Sequence, residues 1–175
     1  NGSVIKEDYD KSDFRTKELT EITNPDHRRM PLAEAMAGAD IFVGVSAPNL
    51  VSEAMVASMA EKAIVFAMAN PEPEITYEKA KAAGAYIVGT GRSDKPNQIN
   101  NILAFPGLFR GALDCRARKI TEAMKIAAAR GLASLVDDSE RSPDMIIPGA
   151  FDERVAQTVA KAVADEARKA GLARA

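Results

Sequence analysis

The chain has 175 residues, 46% hydrophobic and 27% charged, with a formal net charge of −2 and a pI near 5.6. That is one domain with a substantial core, and the near-balanced charge leaves no basic footprint for nucleic acid. No apolar run approaches the roughly 20 residues that cross a bilayer, and the opening residues lack the apolar stretch of a secretory signal.

A single cysteine, Cys115, excludes an internal disulfide and fits a reducing cytoplasm. The single histidine, His27, excludes a histidine pair or a His-rich metal site within the chain. Taken in order, Asn1-Gly2 and then Val4-Ile5 suggest a turn and a short strand. A charged, solvated segment follows, with a short helix near 14–22. LAEAMA at 32–37 predicts a helix closed by Gly38. IFVGVS at 41–46 reads as a buried strand ending in Ser46, Ala47, Pro48 and Asn49. A helix over 52–60 comes next, capped by Asn49 or Ser52, with Met55, Val56 and Met59 toward a sheet.

Residues 63–107 organise the rest. Two β-branched apolar runs, AIVFAMA and AYIVGT, flank a stretch of helical spacing over 74–84 that stops at Gly84. Continuous Val, Ile and Phe read as strands buried on both faces, so the unit is β-α-β and the class is α/β with a parallel sheet.

The polar residues gather where the strands end. Asn70 closes the first run, and Pro71 biases it away from helical angles. GTGRSD at 89–94 offers two positions without side chains for close approach to a ligand. Pro96 is placed to open a helix, which would bring Asn97, Asn100 and Asn101 onto one face at i, i+3, i+4. Capping or solvated surface accounts for Asn70 or Asn97 taken singly. The Asn100-Asn101 pair, running into ILAF, points to a site, because asparagine is a poor helix former. Neutral amides donate and accept, which suits a carboxylate beside a carboxamide, and open α/β sheets bind ligands outside the carboxyl ends of their strands.

Beyond that, 103–133 reads as helical with a break around Pro106-Gly107, and Arg110, Arg116, Arg118 and Lys119 on the outer face. Cys115, among Ala112, Leu113 and Ala117, reads as core packing. Residues 137–143 form a polar loop, and MIIP at 145–148 a strand or extended segment. Asp152 caps a last helix whose Val155, Val159 and Val163 share one face, and the tail from Glu166 frays.

NPEPEI at 70–75, VGTGRSDKPNQINNILAFPGLFRGALD at 88–114, GADIFVGVSAP at 38–48 and MIIPGAFDERVA at 145–156 together resemble the NAD(P)-binding domain of bacterial-type malic enzymes. The resemblance runs from about Leu32 to the C-terminus. It implies a Rossmann-like parallel sheet with flanking helices, incomplete at the N-terminus. No G-x-G-x-x-G occurs, so the first strand, Gly-rich turn and second strand are expected to be missing, and residues 1–175 form a partial domain.

The implied activity is oxidation of malate with reduction of NAD or NADP, then decarboxylation to pyruvate and CO2. The family also uses a divalent cation (Mg or Mn), a lysine base and a tyrosine acid. By resemblance these lie upstream of this chain, and none of Tyr9, Tyr77 or Tyr86 matches the tyrosine motif. No catalytic residue and no metal ligand are therefore assigned here, and the chain is expected to be inactive alone. The resemblance places Ser46, Ala47 and Pro48 in the turn lining the cofactor and Asn70 near the nicotinamide ribose. It places Asn100 and Asn101 on malate, with Asn101 orienting a carboxylate at the start of its helix. Implied partners are malate or pyruvate, the upstream catalytic domain and further copies in a homo-oligomer, in the cytoplasm. The domain of another dehydrogenase, such as an amino-acid dehydrogenase, and a non-catalytic nucleotide-binding module are the competing readings. The residue that separates NAD from NADP, after the second strand, is expected to lie among the missing elements.

Overall fold

The computed structural model describes residues 3–7 and 13–174. Three strands, β1 (Ile41–Gly44), β2 (Ile64–Ala67) and β3 (Ile87–Thr90), form a parallel sheet in the order β1-β2-β3. Helices α1 (Phe14–Ile22), α2 (Leu32–Met36), α3 (Glu53–Ala57) and α4 (Tyr77–Ala82) precede or connect them. A 3-10 turn (Asn101–Leu103) then leads into α5 (Phe105–Asp114), α6 (Glu122–Ala133) and α7 (Arg154–Lys169). The predicted α/β class with a parallel, Rossmann-like sheet and flanking helices is the fold observed.

Local chemistry sets the helix ends. Ser52 Oγ accepts from the Met55 N–H at 3.2 Å and caps α3, so Ser52 rather than Asn49 is the cap. Thr76 and Thr121 cap α4 and α6 in the same way. Gly38 and Gly84 take positive φ, 72° and 99°, just past α2 and α4. The predicted helix at 74–84 starts later, at Tyr77. Residues 74–76 are not helical, and the backbone of Pro73 and Glu74 accepts from Asn49 N and Val51 N, each at 3.0 Å.

Register aligns Phe42, Val65 and Val88, and then Gly44, Ala67 and Thr90. Both rows lie on the same side of the pleat, since side chains alternate with period two. That side packs with Met36, Val56, Met59, Ile75 and Ala80 into one core. The opposite side holds Ile41, Val43, Ile64, Phe66 and Ile87. There Ile41 and Val43 are 54% and 58% exposed. Burial on both faces, expected from the apolar runs, therefore fails for β1, because the helices that share its core cover one side only.

A second core joins α5, α6 and α7, with Val155, Val159 and Val163 buried as their spacing predicted. The predicted break at Pro106-Gly107 is absent. Pro106 sits in the first turn of α5, where its missing N–H has no helical partner to lose, and the chain turns instead between Asp114 and Glu122. Gly107 and Gly111 let α5 lie against α7: a Cβ on Gly111 would stand 2.3 Å from Ala160 O, and one on Gly107 2.6 Å from Val159 Cβ.

The tail is held rather than frayed. Ala167 is fully buried, Arg118 N–H donates to Leu172 O at 3.2 Å and Arg174 N–H to Cys115 O at 3.1 Å. Cys115 is buried, its thiol donating to Ala112 O at 3.6 Å. The helix near 14–22 forms as predicted. Val4-Ile5 forms no strand, although Ile5 is buried. Residues 145–148 form no strand either; Ser142 and Met145 close a single bridge. The opening Asn1-Gly2 turn, the charged residues 8–12 with Tyr9, and Ala175 lie outside the described residues. Among the described residues no helix is long and apolar enough to cross a membrane.

Gly111→Ala forces α5 off α7 and is expected to lower stability by about 1–3 kcal/mol, the range for overpacking a tight core. Urea unfolding should show a reduced midpoint at unchanged slope, and an unchanged midpoint would contradict this helix spacing.

Candidate functional site

Parallel strands release their carboxyl ends on one edge of the sheet, and that edge opens onto a cavity of about 810 Å³. Val45 reaches it from the exit of β1, Asn70 and Pro71 from β2, and residues 91–94 from β3. Asn100, Asn101 and Leu103 form the facing wall, with Leu132 of α6 and Ile147 behind them. Three asparagines from two separate strand exits thus share one cavity.

Their states differ. Asn100 Oδ1 accepts from Ile102 N–H at 3.1 Å and caps the 3-10 turn, which aims its amide NH2 away from the turn. Asn70 and Asn101 are exposed, and among the described residues their side-chain amides have no hydrogen-bond partner. The Asn70–Pro71 peptide is cis. Ser46, Ala47 and Pro48 are exposed next to Val45 and are not among the residues lining the cavity.

The helix predicted from Pro96 does not form, so Asn97, Asn100 and Asn101 do not share a helical face. Asn97 takes φ 54° and is 5% exposed. Its Nδ2 donates to Val88 O at 3.1 Å and to Pro143 O at 2.8 Å, and its Oδ1 accepts from Ile146 N–H at 3.0 Å. Ile99 N–H then donates to Thr90 O at 2.8 Å. An amide that satisfies three backbone groups outweighs a helical turn that would leave them unpaired. Asn101 accordingly stands in a 3-10 turn of three residues rather than at the start of an α-helix, and the helix-end contribution expected for it does not apply.

Sequence reasoning passed over Glu74. It is 0% exposed. Its Oε1 accepts from the Ser46 N–H at 2.7 Å and the Ser46 hydroxyl at 3.2 Å, and its Oε2 from the Ala69 N–H at 3.0 Å. Gly44 makes room for it: a Cβ there would stand 2.6 Å from Glu74 Cδ. Burial works against its charge, yet the N–H groups of Ser46, Ala69 and Glu74 itself and the Ser46 hydroxyl hold the carboxyl below the ordinary carboxylate range. The available signal was an acid between Pro73 and Ile75, both otherwise apolar positions.

At the rim Arg92 pairs with Asp94 through two bonds of 2.9 and 3.0 Å, and Lys95 pairs with Glu78. Among the described residues no three His, Cys, Asp or Glu side chains come together to hold a metal ion. The cavity offers neutral amides, a compensated ion pair and small side chains, which suits orienting a polar ligand.

The family model described as malic enzyme, NAD binding domain, matches residues 5–168. The bifunctional malic/malolactic enzyme of Bacillus subtilis is 55% identical over 157 residues, covering 90% of this chain and 38% of its own length. The NAD-dependent malic enzyme of Geobacillus stearothermophilus is 51% identical over 158 residues, covering 90% and 33%. The crystal structure of Entamoeba histolytica malic enzyme superposes with a TM-score of 0.92 at 45% identity, covering 99% of this chain and 37% of that one. The chain thus spans 33–38% of the length of these three proteins.

Asn97→Ala leaves Val88 O, Pro143 O and Ile146 N–H without their partner and is expected to cost about 2–4 kcal/mol, read as a lower thermal midpoint. For Glu74 the folded value lies below the unfolded one, so its contribution is complete above the unfolded value and is lost as pH falls through the folded one. The stability gap between wild type and Glu74→Gln should be constant at neutral pH and narrow in acid. A gap that widens in acid would reverse the assignment.

Proposed function

The chain belongs to the malic enzyme family, matching the model of its NAD-binding domain, and from that premise we propose that it holds a dinucleotide and malate during oxidative decarboxylation to pyruvate and CO2. The observation that carries the reading is the convergence of Asn70, Asn100 and Asn101 on one cavity at the strand exits. The bound NAD or NADP supplies the hydride acceptor. Asn70, leaving β2, meets the ribose on the nicotinamide side. Residues 46–48 pass beneath the cofactor, their small side chains leaving room for a ring.

Malate lies against the facing wall. Asn100, its oxygen engaged by Ile102 N–H, keeps both N–H donors of its amide for a carboxylate. Asn101, with its amide unengaged among the described residues, orients a carboxylate beside it. The Mg or Mn ion, the lysine base and the tyrosine acid come from an upstream catalytic domain of the complete enzyme. That enzyme is a cytoplasmic homo-oligomer, and this chain supplies a partial cofactor domain that is inactive alone. The uncovered side of β1, with Ile41 and Val43 exposed, suits a sheet that further elements complete. Relatives named NAD-dependent and NADP-dependent both match, so either dinucleotide suits the reading.

In the full-length enzyme, Asn101→Ala should weaken malate binding by about 1–3 kcal/mol, the range for one hydrogen bond to a charged group. It should read as a raised KM for malate in assays of malate-dependent NADH or NADPH formation. Unchanged malate kinetics would reject the role, and turnover by the isolated chain would reject its dependence on the rest of the enzyme.

A further inference from the structure

We infer that Glu74 is the positioning residue for the dinucleotide, its carboxylate fixing the exits of β1 and β2 relative to one another. The inference rests on the reading above, in which residues 46–48 and Asn70 line the cofactor. Three donors reach the carboxylate from two different strand exits: the N–H and hydroxyl of Ser46 after β1, and the N–H of Ala69 beside Asn70 after β2. The main chain of the same segment also seats the loop that follows β1, accepting from Asn49 N and Val51 N.

Among the described residues no cation pairs with Glu74, so these hydrogen bonds are what compensate its burial. An apolar side chain in its place would leave the Ser46 and Ala69 N–H groups without their acceptor. The carboxylate also supplies direction. Each N–H must point inward at a fixed oxygen, and that sets where the following residues run. A glutamine cannot substitute, because it has one acceptor oxygen and its NH2 would face an N–H from one of the two exits.

Asn100 and Asn101, on the facing wall, have no bond to Glu74. The expected signature is therefore a split between substrates. In the full-length enzyme, Glu74→Gln should raise the KM and Kd for the dinucleotide by about tenfold, the scale of a displaced hydrogen-bonded ligand contact. The malate KM at saturating cofactor should stay within about twofold. Simple destabilisation would lower the active fraction, and so kcat, without moving the cofactor KM. Ser46→Ala removes one of the three bonds and should give a smaller rise, and Ser46→Ala combined with Glu74→Gln should be no worse than Glu74→Gln alone.

A folded Glu74→Gln enzyme with unchanged cofactor KM and Kd overturns the inference, as does a double variant whose effects simply multiply. If Glu74→Gln does not fold, Ser46→Ala decides: a raised cofactor KM with an unmoved malate KM supports the role, and no change overturns it. A wild-type enzyme that reduces neither NAD nor NADP with malate would sink the functional reading itself, a result separable from the variant comparison.

Discussion

Three parallel strands can only end on the same edge, and the whole site follows from that constraint. Each crossover returns the chain to the opposite end of the sheet before the next strand begins. Residues that stop the strands, although 20 or more positions apart in sequence, are therefore delivered side by side. Backbone N–H groups at that edge have run out of ladder partners and need others. Glu74 meets this need between β1 and β2, taking Ser46 N–H and Ala69 N–H, while Thr90 O takes Ile99 N–H beyond β3. The cavity is what remains between those satisfied turns.

The wall opposite the sheet belongs to a different core, and its placement is a separate problem. The sheet packs with α2 to α4, and the 3-10 turn packs with α5 to α7. Asn97 binds the two together, reaching Val88 O in β3 and both Pro143 O and Ile146 N–H in the loop before α7. Tyr77 adds a tie from α4 to the same loop, its hydroxyl donating to Asp144 Oδ1 at 3.0 Å. The facing asparagines owe their distance from Asn70 to these bonds. Behind them α5 is locked on α7 at a separation that only glycine permits. The wall is accordingly anchored on one side, while Asn100 and Asn101 stay exposed on the cavity.

Features governed by neighbours in sequence were readable in advance. Apolar β-branched runs marked the three strands, Ser52 and Thr76 are caps of ordinary type, and the valines of α7 followed helical spacing into the core. The asparagines at the strand exits were readable because their position relative to the strands was. Features governed by remote partners were not. Asn97 looked like one turn of a helical face, and its role depends on carbonyls up to 46 residues away. Glu74 looked like the first turn of a helix, and its partner Ser46 lies 28 residues before it. The tail looked polar enough to fray, and it is held by carbonyl and N–H groups around Cys115. Local propensity was overridden in each case by a non-local hydrogen bond.

The chemistry left in the cavity also says what must reach it from elsewhere. Amides orient a carboxylate well, since each N–H has a direction, but they bring no charge. A dicarboxylate such as malate carries two negative charges, and taking them out of water without a cation is costly. Arg92 at the rim is matched by Asp94, so the pair brings no net charge to the pocket. On the proposed reading, then, the pocket built by this chain settles the angle at which the substrate lies. On the same reading, the countercharge comes from the upstream catalytic domain.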